Sequence, residues 1–419
     1  MSDTTKAGLR VPALAPFRVR SFRFQWPADL ATSWAFEMET LILGWYVLVE
    51  TQSVFMLTVF ASLQYIGTLL APMFGVVGDR FGHRNLLCGM RGLYATLATT
   101  LMSLAFLGLV TPEIVLVITA IFGLVRPSDI GMRAALVAET MPQDRLVGAM
   151  SIQRTTQDSA RIAGALTGAG LVAALGMGPA YLVVASFYTL SVFLTFKAGS
   201  ARVRHAAREP SASPWRDLGA GLAYVWNTPH LQGAMCFAFL LNLTAFPLFV
   251  GLLPYVAKEV YFSDQTTLGY MVASASFGAL IGAMVLSRVG HTVRPARMGL
   301  VFGAGWYAML LVFAHTPHPA AGIAILMVTG ISQSLGLIPM SAMLLRNSEA
   351  QYRGRVMGIR MLAIYGNLPG LLISAPLIAN IGFPWTAMLY CAIGLAFTLV
   401  IAVHWRNHLW RREAPANTR

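Results

Sequence analysis

The sequence predicts an all-α membrane protein, twelve transmembrane helices arranged as two pseudo-symmetric six-helix halves. Three observations carry this. Hydrophobic residues make up 56% of the 419-residue chain and charged residues only 11%, where a soluble domain carries roughly 25% charged residues. Apolar windows, each of about 20 residues and so long enough to cross a ~30 Å hydrocarbon core, recur from about residue 28 to about residue 404. The chain also repeats near half its length: Arg80, Gly82 and His83 fall on Arg288, Gly290 and His291 at a constant offset of 208. Lipid offers backbone groups no hydrogen-bond partner, so such segments are helices rather than open strands.

In chain order, residues 1–27 carry Lys6, Arg10, Arg18, Arg20 and Arg23 but no apolar run with a cleavage site, and read as a cytoplasmic tail. Spans are predicted near 28–49, 54–76, 86–109, 113–132, 151–175 and 179–197, the N-terminal half (28–197). The polar interval 198–230 is a linker, flexible at first and then, from Trp215 to Trp226, an amphipathic helix at headgroup level with Trp215, Leu218, Leu222 and Val225 on one side. The C-terminal half (231–404) follows with spans near 231–256, 267–287, 296–314, 320–341, 358–380 and 384–404, and then a tail, 405–419.

Charge sets the orientation. With the N-terminus in the cytoplasm, only Lys258 of the 30 Lys and Arg residues falls in an outside loop, so the positive-inside rule places both termini in the cytoplasm. The net charge of +13 is therefore topological. It comes in small groups between spans, not as a basic patch with interleaved aromatics, and argues against nucleic acid. Cys88, Cys236 and Cys391 sit singly with no metal-ligand spacing. No phosphate loop appears, and the sequence calls for no metal or cofactor.

Ionisable groups inside spans are the functional candidates, because each costs a few kcal/mol unless it faces a cavity or a partner. Asp29, Ser33, Glu37, Thr40 and Gly44 share one stripe of the first span, while Glu39 points roughly 160–200° away from Glu37. Either carboxylate could couple proton movement to transport, and Glu37 has the more polar stripe; the plainer alternative is a structural acceptor to a neighbouring helix. The fourth span holds Arg126 and Asp129, the fifth Arg154, Asp158 and Arg161 on one face. Together these five suggest a buried charge network near a gate, although Arg126 could simply neutralise Asp129 and the fifth-span trio could be a solvated helix end. Asn242, Tyr365 and Asn367 are the polar residues that could line a cavity among otherwise apolar spans.

One loop gives a name to the pattern. Gly75-Val76-Val77-Gly78-Asp79-Arg80-Phe81-Gly82-His83-Arg84 follows the second span. It resembles the signature loop of the major facilitator superfamily at Gly75, Asp79, Arg80, Gly82 and Arg84, with His83 where that family has Arg or Lys. A second repeat, Gly148 on Gly358 at offset 210, fits the parallel six-span repeats of that fold. Gly44 to Val47, Arg126 to Gly131 and Arg353 to Gly358 further resemble the drug and siderophore exporters related to the enterobactin exporter. Ile130 departs from that pattern, as do the alanines of Ala160-x3-Gly164-Ala165-Leu166-Thr167-Gly168-Ala169.

The resemblance implies a proton-coupled exporter of a small, partly hydrophobic molecule that works by alternating access. Its partners would be its cargo, protons and the bilayer, and it would act as a monomer in a bacterial-type inner membrane. It implies a cytoplasmic latch in which Asp79 meets the start of span eleven near Arg355 to Arg360. Arg80 and Arg84 would pair with Asp144 or Glu139. A lysophospholipid flippase or a solute importer on the same fold stays open, as does, more remotely, a membrane-embedded transferase. The scattered His291, His315, His318, His404 and His408 form no catalytic constellation for the last of these.

Overall fold

A computed structural model describes residues 15–199, 214–289, 294–346, 348–349 and 352–406, and among them every regular element is helical. The side chains of Asp79 and of residues 353–355 lie outside the described set, as do Gly290 and His291 of the repeat.

Helices occupy all twelve predicted spans. Several run further than predicted. The first covers Arg20–Thr51, the fourth Pro112–Thr140 and the fifth Gln143–Leu175. In the fourth, Arg133 and Glu139 meet Asp129 and His83, so the helix continues past them. The fourth stops only at Met141, driven into an extended conformation (φ −98°, ψ 132°) by the proline that follows.

The signature segment, predicted as a loop, is mostly helix. Ala71–Phe81 runs to Gly82, a single turn residue at φ 85°, and the third span starts at once at His83 and ends at Leu107. Only glycine adopts that φ without strain. The second span is itself broken, into Val54–Leu63, a 3-10 turn at Ile66–Leu70 and Ala71–Phe81. The sixth is Met177–Lys197.

In the C-terminal half the seventh span, Pro229–Val260, widens into π turns at Pro247–Gly251 and Val256–Val260. Gln265–Val289, Pro295–Ala314 and Pro319–Arg346 follow. Asp264 caps the first of these, accepting from the Thr267 amide at 3.0 Å, which holds its carboxyl below the usual range. Arg353–Leu362, a 3-10 turn at Ala363–Gly366 and the segment from Asn367 make the eleventh span; Gly382 (φ 79°) separates it from the twelfth, which ends at His404. The linker helix, Pro214–Trp226, docks on the C-terminal half through Tyr224, whose ring stacks on Tyr352 with centroids 4.2 Å apart. Val225 is buried and Leu222 exposed, so one side of that helix faces protein rather than headgroups alone.

Two large apolar clusters form, one mainly within each half. The halves approach closely toward the end opposite the basic connections. There span five meets span eight: a Cβ on Gly269 would stand 2.6 Å from the Ala169 Cβ. Gly44 of span one likewise faces Pro254 of span seven.

Candidate functional site

Between the halves lies a cavity of about 190 Å³ with two unlike walls. The N-terminal half contributes the charged Glu37, Arg126 and Arg161 and the polar Thr40, Gln64 and Tyr65, beside apolar Leu41, Leu57 and Phe60. The C-terminal half contributes Phe246, Phe249, Val272 and Leu371, with Ser276, Gln333 and Asn367 as its neutral polar groups.

Span five brings Arg161 to Glu37. Gly164 permits it: a Cβ there would sit 2.8 Å from the Glu37 Cβ and 3.0 Å from the Trp34 carbonyl. Small residues at such a seam let two backbones close up. The Arg161 Nε then donates to the Glu37 carboxylate at 3.3 Å.

Arg126 projects into the same cavity. It donates to the Gln64 side-chain carbonyl and, at 3.4 Å, to the Thr40 hydroxyl. Its guanidinium lies 3.0 Å from the centroid of the Phe36 ring, a cation–π contact.

Glu39 occupies a different place, as the helical angle requires. Its carboxylate accepts from the Tyr188 hydroxyl at 2.8 Å and the Tyr181 hydroxyl at 3.5 Å, both on span six. It lines a second, smaller cavity of about 20 Å³ with Phe36, Thr40, Gln64, Thr119 and Arg126. So Glu37 faces the space between the halves, and Glu39 faces the interior of one half.

The predicted charge network of Arg126, Asp129, Arg154, Asp158 and Arg161 needs correcting, because these residues belong to separate groups. Asp129 does not neutralise Arg126. It pairs with Arg133 on its own helix and lies 4.0 Å from Arg91. Arg154 and Asp158 pair with each other at 3.3 Å, with Arg154 largely exposed. Arg161 belongs to Glu37. The reason is burial: Arg91 and Arg133 are almost wholly out of solvent, and two buried guanidinium groups claim the nearest carboxylates.

Those carboxylates are Asp129 and Asp29. Asp29 bonds to Arg91, lies 3.8 Å from Arg133 and accepts from Gln153 at 2.8 Å. Arg133 also donates to Ser33 at 2.7 Å, and Arg91 to Thr195. This neutral quartet ties together spans one, three, four, five and six. Sequence reading missed it, although Arg91, the one Lys or Arg of the predicted span 86–109, carried the same signal as Glu37.

Of the three predicted cavity residues, Asn367 lines the cavity. Asn242 is a correction: it is buried beside it, accepting from Asn367 at 3.0 Å and so joining spans seven and eleven. Tyr365 is another. Its hydroxyl accepts from the Leu69 amide at 2.6 Å and donates to the Ile66 carbonyl at 3.1 Å, meeting backbone groups freed by the break in span two.

In the signature segment Gly75 has open space around it and Arg80 is exposed. Arg84 donates to Asn85 and, at 3.4 Å, to the Ala198 carbonyl. The expected pairing of Arg80 and Arg84 with Glu139 or Asp144 is not observed. Glu139 is held by buried His83 at 2.5 Å, and Asp144 sits 3.4 Å from Arg145. The contact expected of Asp79 falls on side chains outside the described residues.

A family model described as Transmembrane secretion effector matches residues 11–417. Similar curated proteins include the enterobactin exporter EntS of Escherichia coli O1:K1, 23% identical over 356 residues, covering 83% of this chain and 80% of that protein. The protein of the same description from Citrobacter koseri is 23% identical over 354 residues, with 82% and 80% covered. Among solved structures the nucleoside transporter NupG superposes with a TM-score of 0.69 at 14% identity, over 94% of this chain and 100% of that one. At that identity the likeness is one of fold.

Proposed function

The chain belongs to the transmembrane secretion effector family of major facilitator transporters, and from that premise we propose that it exports a small, partly hydrophobic molecule by proton-coupled alternating access. The observation that carries this reading is the cavity between the halves, with its charges confined to one wall and aromatic and aliphatic side chains on both. Such walls suit a cargo with an apolar body and a polar group that meets Arg126, Arg161 or Glu37. The relatives described as exporters support the direction.

Glu37 and Glu39 are the carboxylates through which protons would act. The basic connections face the cytoplasm in this reading, with both termini there, in a bacterial-type inner membrane and as a monomer. The Gly269–Ala169 seam then lies at the outer side, which corresponds to a form open toward the cytoplasm. The five domain units follow the sequence, with tails 1–27 and 405–419, halves 28–197 and 231–404, and the linker 198–230, and the first helix draws residues 20–27 of the tail into the N-terminal half. The signature segment acts as a latch when the cytoplasmic side closes, with Asp79 facing the start of span eleven, where a helix N-terminus favours a carboxylate.

The test compares cells with and without the chain for retained and released metabolites, with enterobactin as the first probe. Expression should release one or a few compounds, and collapse of the proton gradient should stop it. Identical profiles in the two strains, with no transport by the purified protein in vesicles, would overturn the reading.

A further inference from the structure

The structure assigns the coupling proton to Glu39, held in a small chamber beside Arg126, and leaves Glu37 as the partner of Arg161. This rests on the proton-coupled reading above and decides between its two carboxylates.

The partners of the two groups differ in kind. Glu37 is ion-paired, and taking a proton would cost it the pair with Arg161. Glu39 has no ion pair among the described residues and is held by two tyrosine hydroxyls. A hydroxyl both donates and accepts. Tyr188 and Tyr181 can therefore donate to the carboxylate and accept from the carboxylic acid, so Glu39 keeps hydrogen-bond partners in both states. That is what a reversible proton carrier in a buried site needs, since an unpartnered polar group there is costly.

The chamber supplies a route. At about 20 Å³ it has room for one water. Its polar walls are Glu39, Thr40, Gln64, Thr119 and Arg126. The buried Thr119 hydroxyl has no protein partner and is free to bond such a water. Thr40, Gln64 and Arg126 also line the central cavity, so they form the partition between proton and cargo.

The charged and titratable groups around Glu39 are few: Tyr181 and Tyr188 from span six and Arg126 from span four, with Tyr94 of span three against the Tyr188 ring at 5.6 Å. Span two presents the neutral Gln64. Loading Glu39 removes a negative neighbour of Arg126, and so changes the charge that the cargo meets across the partition.

The test needs no cargo. Purified protein is titrated under infrared difference spectroscopy between about pH 5 and about pH 9, the range in which a coupling group must work. A protonated-carboxyl stretch should titrate in the wild type and in Glu37→Gln and be absent from Glu39→Gln. In Tyr188→Phe, which keeps the carboxyl and removes its nearer hydroxyl, the band should remain at a changed frequency. A band that persists in Glu39→Gln, is lost in Glu37→Gln or is absent from the wild type overturns the assignment. If Glu39→Gln does not fold, an unchanged band in Tyr188→Phe overturns it and a displaced band sustains it. The metabolite comparison judges transport separately, so a misplaced proton and a wrong transport reading give different results.

Discussion

Asp29 shows at the scale of one residue how burial reassigns a charge. In sequence it opens a polar stripe that leads to Glu37. In the fold it is one of two acids that balance Arg91 and Arg133, and its solvent exposure is 2%. Replacing Asp29 with Ala leaves two buried guanidinium groups facing one carboxylate, and breaking a buried pair in this way costs about 3–5 kcal/mol. Thermal unfolding in detergent should show a large fall for Asp29→Ala and a small one for Asp158→Ala, whose partner Arg154 is exposed. Asp79 poses a different question. As the latch, Asp79→Asn should slow transport in vesicles while membrane insertion is unchanged; normal turnover would reduce the segment to a topology-setting turn. Residue type and span position flagged Glu37, Glu39, Arg126 and Arg161 as candidates. They did not reveal the partners, because a partner is chosen by helices distant in the chain.

Among elements, the broken helices are the least expected feature. Span two breaks where it presses on span four: a Cβ on Gly67 would run into the Leu124 carbonyl, and one on Gly123 into that of Leu63. The hydroxyl of Tyr365, from the other half, then serves the backbone groups that the break leaves free. Tyr365→Phe should leave the fold intact but loosen that turn, read as faster amide exchange at Leu69 and its neighbours; unchanged exchange would show that the hydroxyl is dispensable. Gly67→Ala should lower stability and expression, since backbone rather than a flexible side chain blocks the added methyl. Length and hydropathy located these spans. They carry no trace of a 3-10 or π turn, which is set by contact with a neighbour.

For the whole molecule, one seam between the halves lies at the end opposite the basic connections, where Gly269 seats against Ala169 and Ala165, and Tyr365 on Leu69 and Ile66 makes a second contact nearer the middle. Valine at position 269 would wedge that seam, and alternating access requires that opening one end favour closure of the other. Spin labels at Arg80 and Met361, on opposite halves near the basic end, should report a shorter mean distance in Gly269→Val than in the parent. An unchanged distribution would mean that the two ends are not coupled through rigid halves.

By itself the sequence determined what depends on composition and order: a membrane-spanning helical chain, twelve spans, two repeated halves, a basic side and the residue types able to carry charge into the bilayer. Hydropathy, period and charge bias are local quantities, written along the chain. Only the tertiary structure decided which acid meets which base. It sent Glu37 to Arg161 and the central cavity, Glu39 to two tyrosines in a smaller chamber beside it, Asp129 to Arg133 rather than Arg126, and the signature loop into a helix with a one-residue turn. These are matters of distance between segments far apart in sequence, and in a low-dielectric interior distance and burial settle how a charge is used.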